Sequence, residues 1–288
     1  MSGGALLVGL AAGLAVGALA WWALRAQLGA GVFARQNHRG DLLPTAAGLV
    51  LALTALVVAA GVALGESAGG WRAGAPVARG ATLAIVIGFA LLGLVDDLAG
   101  RGEDGRGFRG HLAALARGRL TTGGLKLVGG GALALAVCAP VSGGGPERLL
   151  ADGLLVALAA NLGNLLDRAP GRTIKAGLVA FAILALATGL DPALAGVAVV
   201  VGAGLALLPG DLGERLMLGD TGANALGGVL GLGVVLTTAP GTRVVVLAAV
   251  VALNLASEVV SFSRVIESVP VLRAFDQAGR RHHPLESG

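Results

Sequence analysis

The chain has 288 residues, 55% of them hydrophobic and 13% charged, with a mean hydropathy of +0.83 and a formal net charge of +4. A soluble globular domain carries roughly 25% charged residues, so composition excludes that class and leaves a polytopic membrane protein with no nucleic-acid partner. One cysteine, Cys138, lies in an apolar run and excludes an intrachain disulfide or a cysteine metal site.

An apolar span of about 20 residues crosses a bilayer as a helix. With polar breaks as boundaries, nine spans are predicted near 4–24, 45–64, 80–96, 124–140, 149–166, 175–190, 192–209, 223–239 and 243–261. The first has no Lys or Arg before Arg25, where a secretory signal would need a positive leader, so it reads as a retained helix. Its Gly9, Gly13 and Gly17 form a small-residue stripe suited to close packing within the chain or, alternatively, to a homodimer. The sixth and seventh spans are separated only by the turn from Gly189 to Pro192. The expected fold is all-α, a transmembrane bundle of about nine helices forming one domain over 1–288, with 261–288 as a tail.

Lys and Arg favour cytoplasmic loops. With the N-terminus outside, only Arg72, Arg79, Arg148 and Arg243 of the 21 cationic residues fall outside. The C-terminus is then cytoplasmic, and so is every polar cluster described next. The Ala-, Gly- and Arg-rich, Lys-poor, Tyr-free composition points to a GC-rich bacterial genome, hence to the bacterial cytoplasmic membrane.

At the inner end of the third span, the run from Gly88 ends in Asp96 and Asp97. Adjacent carboxylates at a membrane helix end are costly to desolvate unless a cation or water meets them, and such oxygen-rich pairs suit Mg²⁺ bridging to phosphates. A basic loop from Arg101 to Arg109, with His111, Arg117 and Arg119, follows and reads mainly as positive-inside anchoring. Lys126 opens the fourth helix, where an ammonium can meet a phosphate.

Asn161, Asn164 and Asp167 are spaced by three and share one face of the fifth helix. Pro170 and Gly171 break that helix, and Arg172 and Lys175 follow. Asp220 lies between Gly219 and Thr221-Gly222 at the head of the eighth span, where backbone N–H groups attract anions. With the Asp96–Asp97 pair it offers a third carboxylate to a Mg²⁺ cage; as a lone residue it reads as a helix N-cap. Asn254 and Glu258, one turn apart on the ninth helix, read as interhelical glue. The tail carries Arg280, Arg281, His282 and His283, a diphosphate-binding set or a basic chain end.

In this order the motifs resemble the polyprenyl-phosphate N-acetylhexosamine-1-phosphate transferases, the membrane family of the phospho-MurNAc-pentapeptide and GlcNAc-1-phosphate transferases. Gly93 to Asp97 is similar to the family's Asp-Asp motif, and the segment from Gly110 to Lys126 to the one that follows it. Asn161 to Asp167 resembles N-x-x-N-x-x-D, Leu218 to Gly222 resembles M-G-D-x-G, and Arg39 to Pro44 resembles the first inner loop.

The resemblance implies that a polyprenyl phosphate attacks the β-phosphate of a UDP-sugar with Mg²⁺ present and UMP leaving, to begin a cell-envelope glycan. It implies catalytic roles for Asp96, Asp97 and Asp220, with Asp97 and Asp220 as metal ligands and Asp96 orienting or deprotonating the lipid phosphate. Lys126, His282 and His283 would neutralise phosphate oxygens, while Asn161, Asn164, Asp167, Arg172 and Lys175 would line the substrate side.

The chain departs from the pattern in three places. Arg168 to Arg172 replaces the usual G-x-D-G-L-A after Asp167, Ala223 stands where the family commonly has Ser, and the tail holds two His and no tenth helix. Two other readings stay open: a non-catalytic descendant acting as scaffold or lipid-phosphate binder, and a transporter.

Overall fold

The computed structural model describes residues 2–37, 39–69, 73–99, 117–118 and 121–281. The basic loop from Arg101 to Arg109 with His111, Arg119, and the His282–His283 pair lie outside the described residues.

Eleven α-helices and one short hairpin are described. They are α1 (Ser2–Leu28), β1 (Ala34–Gln36), β2 (Leu42–Pro44), α2 (Leu49–Ser67), α3 (Pro76–Ala99), α4 (Thr122–Cys138), α5 (Pro146–Leu166) and α6 (Arg172–Ala187). After a 3₁₀ turn at Pro192–Leu194 come α7 (Ala195–Leu212), α8 (Gly219–Thr237), α9 (Pro240–Ser257), α10 (Phe262–Ser268) and α11 (Pro270–Gln277).

Each apolar stretch read from the sequence contains one helix, with ends displaced by a few residues. Local chemistry sets those ends. Proline opens α5, α9 and α11, where its missing N–H is no loss. Thr121 caps α4 by accepting the Gly124 N–H at 3.0 Å, and Asp191 caps the 3₁₀ turn through Ala193 at 2.8 Å.

Among the described residues, six helical segments are long and apolar enough to cross a membrane: Gly3–Leu28, Leu49–Ser67, Pro76–Ala99, Pro146–Leu166, Pro192–Leu212 and Pro240–Ser257. Their outer surfaces carry large apolar side chains, among them Leu7, Val8 and Trp22 on α1 and Val244, Val245 and Leu255 on α9. Exposure of apolar area to water costs about 25 cal/mol per Å², and hydrocarbon contact removes that cost.

Helix α8 runs through the centre, mostly buried, against α3, α5, α6 and α7. Small residues set the spacing. A Cβ on Gly227 or Gly231 would meet Ala159 or Val156 of α5. Gly9, Gly13 and Gly17 of α1 lie against Ala195, Val199 and Ala203 of α7. The α1 stripe is therefore used for close packing within the chain, the first of its two readings.

Two further features depart from expectation. The connection between α1 and α2 forms the antiparallel β1–β2 hairpin, Arg35 opposite Leu43, turned at Gly40 with φ +91°. The tail, for which no helix is expected from the sequence, contains α10 and α11.

Candidate functional site

At one end of the bundle, three segments distant in sequence meet through close backbone approach. A Cβ at Gly93 of α3 would collide with the Asp220 carbonyl, and one at Gly163 of α5 with the Ala223 carbonyl. Gly219 takes φ +70° with Thr45 O against it. Glycine is what lets the ends of α3, α5 and α8 touch.

This contact gives Asp97 its role. The backbone N–H groups of Asp220 and Thr221 donate to its two carboxylate oxygens at 3.0 and 2.9 Å, and the Thr221 hydroxyl donates at 2.6 Å. A side chain from α3 thus caps the first turn of α8, answering both its unpaired amides and its positive dipole end. The sequence offered Asp220 as its own helix's cap; the capping carboxylate is Asp97.

Asp220, freed from capping, faces Asp96 and Lys126. The Lys126 ammonium donates to Asp96 Oδ2 at 3.2 Å and to Asp220 Oδ2. Asp96 also lies within hydrogen-bonding reach of Asp220 and of Thr122. In the amide orientation that satisfies both of its atoms, Asn164 donates to Asp220 Oδ1 and accepts from Lys126 Nζ at 3.3 Å. Side-chain exposures of 16% for Lys126, 24% for Asp96 and 25% for Asp220 leave the cluster shielded yet open to a ligand.

Three oxygens, from Asp96, Asp220 and Asn164, therefore surround one cationic atom. Among the described residues, no group of three or more His, Cys, Asp and Glu is gathered to hold a metal ion. The oxygen donor set still fits Mg²⁺, which takes few carboxylates and keeps several waters. Of the two expected ligands, Asp220 belongs to this set, whereas Asp97 faces the α8 amides.

Asp167 closes α5 next to this cluster. Burial, then the charges of Asp211 and Asp220, push its carboxyl well above the usual carboxylate value, against a hydrogen bond from Thr173. Other contacts at this end of the bundle brace the site. Gly171 N–H donates to Asp211 at 3.0 Å. Arg35 reaches Leu98 O at 2.9 Å, Met217 N–H donates to Pro44 O at 2.7 Å, and Gly48 N–H to Leu218 O at 3.0 Å. Arg39 pairs with Glu214 at 3.1 Å. The hairpin loop that resembled the family's first inner loop thus clamps both carboxylate-bearing segments.

Three expected site residues are engaged elsewhere. Asn161 donates to Asn254 at 2.7 Å, so this pair is glue between α5 and α9. Arg172 forms a buried bidentate pair with Asp276 of α11 at 2.8 and 3.0 Å. Lys175 Nζ donates to the carbonyls of Phe275, Asp276 and Ala278 at 2.8, 2.7 and 3.1 Å. These cations latch the tail onto α6. Burial opposes ionisation of Asp276, but Arg172, Arg280 and Lys175 together outweigh it and hold its carboxyl below the usual value.

Sequence reading did not single out Thr122, Thr221, Asp211 and Asp276 as polar partners of the site and latch. The segments from Gly110 to Lys126 and from Leu218 to Gly222 span Thr122 and Thr221, but only helix packing assigns their partners. An apolar cavity of about 200 Å³ lies between α5, α6, α8 and α9, lined by Leu162, Gly163, Thr173, Leu226, Val246 and Val250.

Fold and site define an all-helical chain with membrane-length apolar helices that gathers carboxylates, an amide and an ammonium at one end of its bundle. Neither the comparison with protein-family models nor that with curated proteins produced a match.

Proposed function

We propose that the chain is a membrane phosphoglycosyltransferase that moves a sugar-1-phosphate from a UDP-N-acetylhexosamine, or a UDP-MurNAc-peptide, to polyprenyl phosphate. The single observation that carries this reading is the meeting of Asp96, Asp220, Asn164 and Lys126, from four separate helices, at one end of an apolar bundle. An oxygen-rich pocket with one point charge suits a diphosphate and its divalent cation.

The bundle would span the bacterial cytoplasmic membrane with nine helices, N-terminus outside, and present this end to the cytoplasm. The lipid phosphate oxygen attacks the β-phosphorus, the bond to the bridging oxygen breaks, and UMP leaves. Asp96 and Asp220 would hold Mg²⁺, which supplies positive charge to the diphosphate oxygens. Lys126 donates to those oxygens as charge moves onto the leaving phosphate. Asp97 fixes the head of α8, and with it the position of Asp220. Asn164 and Asp167 border the nucleoside side. The apolar cavity between α5, α6, α8 and α9 suits an apolar prenyl chain.

A second reading, a non-catalytic scaffold or lipid-phosphate binder, is favoured by one observation. Arg172 and Lys175, two cations expected at the substrate, are held by the tail.

The deciding experiment is UMP release by purified protein in detergent with polyprenyl phosphate, Mg²⁺ and a panel of UDP-N-acetylhexosamines, alongside Asp220→Asn and Asp96→Asn. Turnover lost in both variants establishes the transferase. Binding of polyprenyl phosphate without turnover for any donor establishes the scaffold.

A further inference from the structure

The chain contains only two lysines, Lys126 and Lys175; every other cationic side chain is Arg or His. Both ammonium groups are surrounded by oxygen. Lys175 Nζ is held by three backbone carbonyls of the tail, and Lys126 Nζ by Asp96, Asp220 and Asn164. A guanidinium is a flat fork that binds in its own plane. An ammonium is a compact point charge whose three donors diverge in space, so it can sit inside an oxygen shell as a small metal ion does.

The consequence for the site follows from charge. Without a cation between them, Asp96 and Asp220 would face each other in a shielded pocket, an arrangement opposed by like-charge repulsion. Lys126 relieves that repulsion. A divalent ion bound to the same two carboxylates would lie within a few ångströms of the ammonium, and a shielded site does little to screen the repulsion between them. One position cannot hold both cations.

We propose that Lys126 is the resident counter-cation of the Asp96–Asp220 pair. A divalent metal binds there by displacing its ammonium, which is thereby released toward the anionic ligand. The exchange keeps a cation between the two carboxylates in both states and delivers the lysine charge to a phosphate only when the metal is in place. The inference rests on the metal site of the proposed function. It does not depend on which sugar is transferred.

Two measurements on the full-length protein in detergent test it. The first uses protein labelled with ¹³C at the lysine ε-carbon, which gives two signals because the chain has two lysines. Titration with Mg²⁺ should move the Lys126 signal and leave that of Lys175, with Lys126→Met assigning the pair. The second is Mn²⁺ affinity by electron paramagnetic resonance. Lys126→Met should bind one Mn²⁺ roughly tenfold or more tighter than the wild type, since the competing charge is gone, and adding Asp220→Asn should abolish that gain.

Mn²⁺ binding that is unchanged or weaker in Lys126→Met overturns the displacement while leaving the metal-dependent transferase standing. The same holds if the wild type binds Mn²⁺ but Mg²⁺ moves neither lysine signal. If neither wild type nor Lys126→Met binds Mn²⁺, the displacement and the metal site of the proposed function fall together. The NMR titration needs no substitution for its main result, so poor folding of the variant does not shelter the proposal.

Discussion

Asp97 and Thr221 are joined twice: the Thr221 backbone N–H and its hydroxyl both donate to Asp97 Oδ2, at 2.9 and 2.6 Å. With the Asp220 N–H on the other carboxylate oxygen, the C-terminal end of α3 and the head of α8 are held as one piece. The position of Asp220 relative to Asp96 therefore depends on a residue that does not itself face the cation.

That coupling is measurable. A hydrogen bond to a charged group contributes about 1.5–3 kcal/mol, so Asp97→Asn should lower the thermal midpoint in detergent clearly and Thr221→Val somewhat less. Because both remove the same contact, the double variant should lose less than the sum of the singles, by about 0.5 kcal/mol or more. Strictly additive losses would sink the shared cap.

Backbone approach at Gly93 gives a second test. Gly93→Ala puts a Cβ against the Asp220 carbonyl, a rigid neighbour, and overpacking of this kind costs about 1–3 kcal/mol. Gly131 of α4 has open space around its Cβ position, so Gly131→Ala should be neutral or stabilising by up to about 1 kcal/mol through helix propensity. Equal melting of the two variants would show that α3 and α8 do not meet as described.

Asp167 has a folded-state pKa raised above its ordinary value of 3.8. Its contribution to stability is complete below that value and is lost as pH rises toward the folded pKa, because the unfolded chain ionises first. Asp167→Asn removes this loss. The variant should gain stability over the wild type as pH rises above 3.8, read as thermal midpoints at acid and neutral pH. Under the transferase reading it should also lose activity. A midpoint difference that is flat with pH would contradict the raised pKa of the Asp167 carboxyl.

The tail latch has the opposite sign. The Asp276 carboxyl is held below 3.8, so its contribution is present above that value and lost as pH falls through the lowered folded pKa. Asp276→Asn should raise hydrogen exchange of the α11 amides several-fold at neutral pH, since breaking a buried pair strands its partner Arg172. In the wild type the same loosening should appear only in strong acid, after correction for intrinsic rates. Unchanged protection in the variant would mean that the carbonyl grip of Lys175 alone holds the tail.

Asp96, Asp220 and Lys126 were legible in the sequence because each is a charge at the edge of an apolar run, and such a charge needs a partner wherever it sits. Asn164 and Asn161 looked equivalent at three-residue spacing, yet one faces Asp220 and the other meets Asn254 on α9. Successive positions three apart turn the side chain some 60° around a helix of 3.6 residues per turn, so the rotation of α5 against its neighbours separates them. Arg172 and Lys175 were misread for a different reason: their partners lie on α11, about a hundred residues away.

Helices, their apolar faces and the clustering of charge at their ends follow from local hydrophobicity and capping chemistry, which act within a few residues of each position and can be read along the chain. The capping of α8 by Asp97, the three oxygens around Lys126 and the latch at Asp276 belong to the folded bundle alone. They depend on how closely glycine-lined helices approach and how each is rotated, and those quantities are set by the packing of all the helices together.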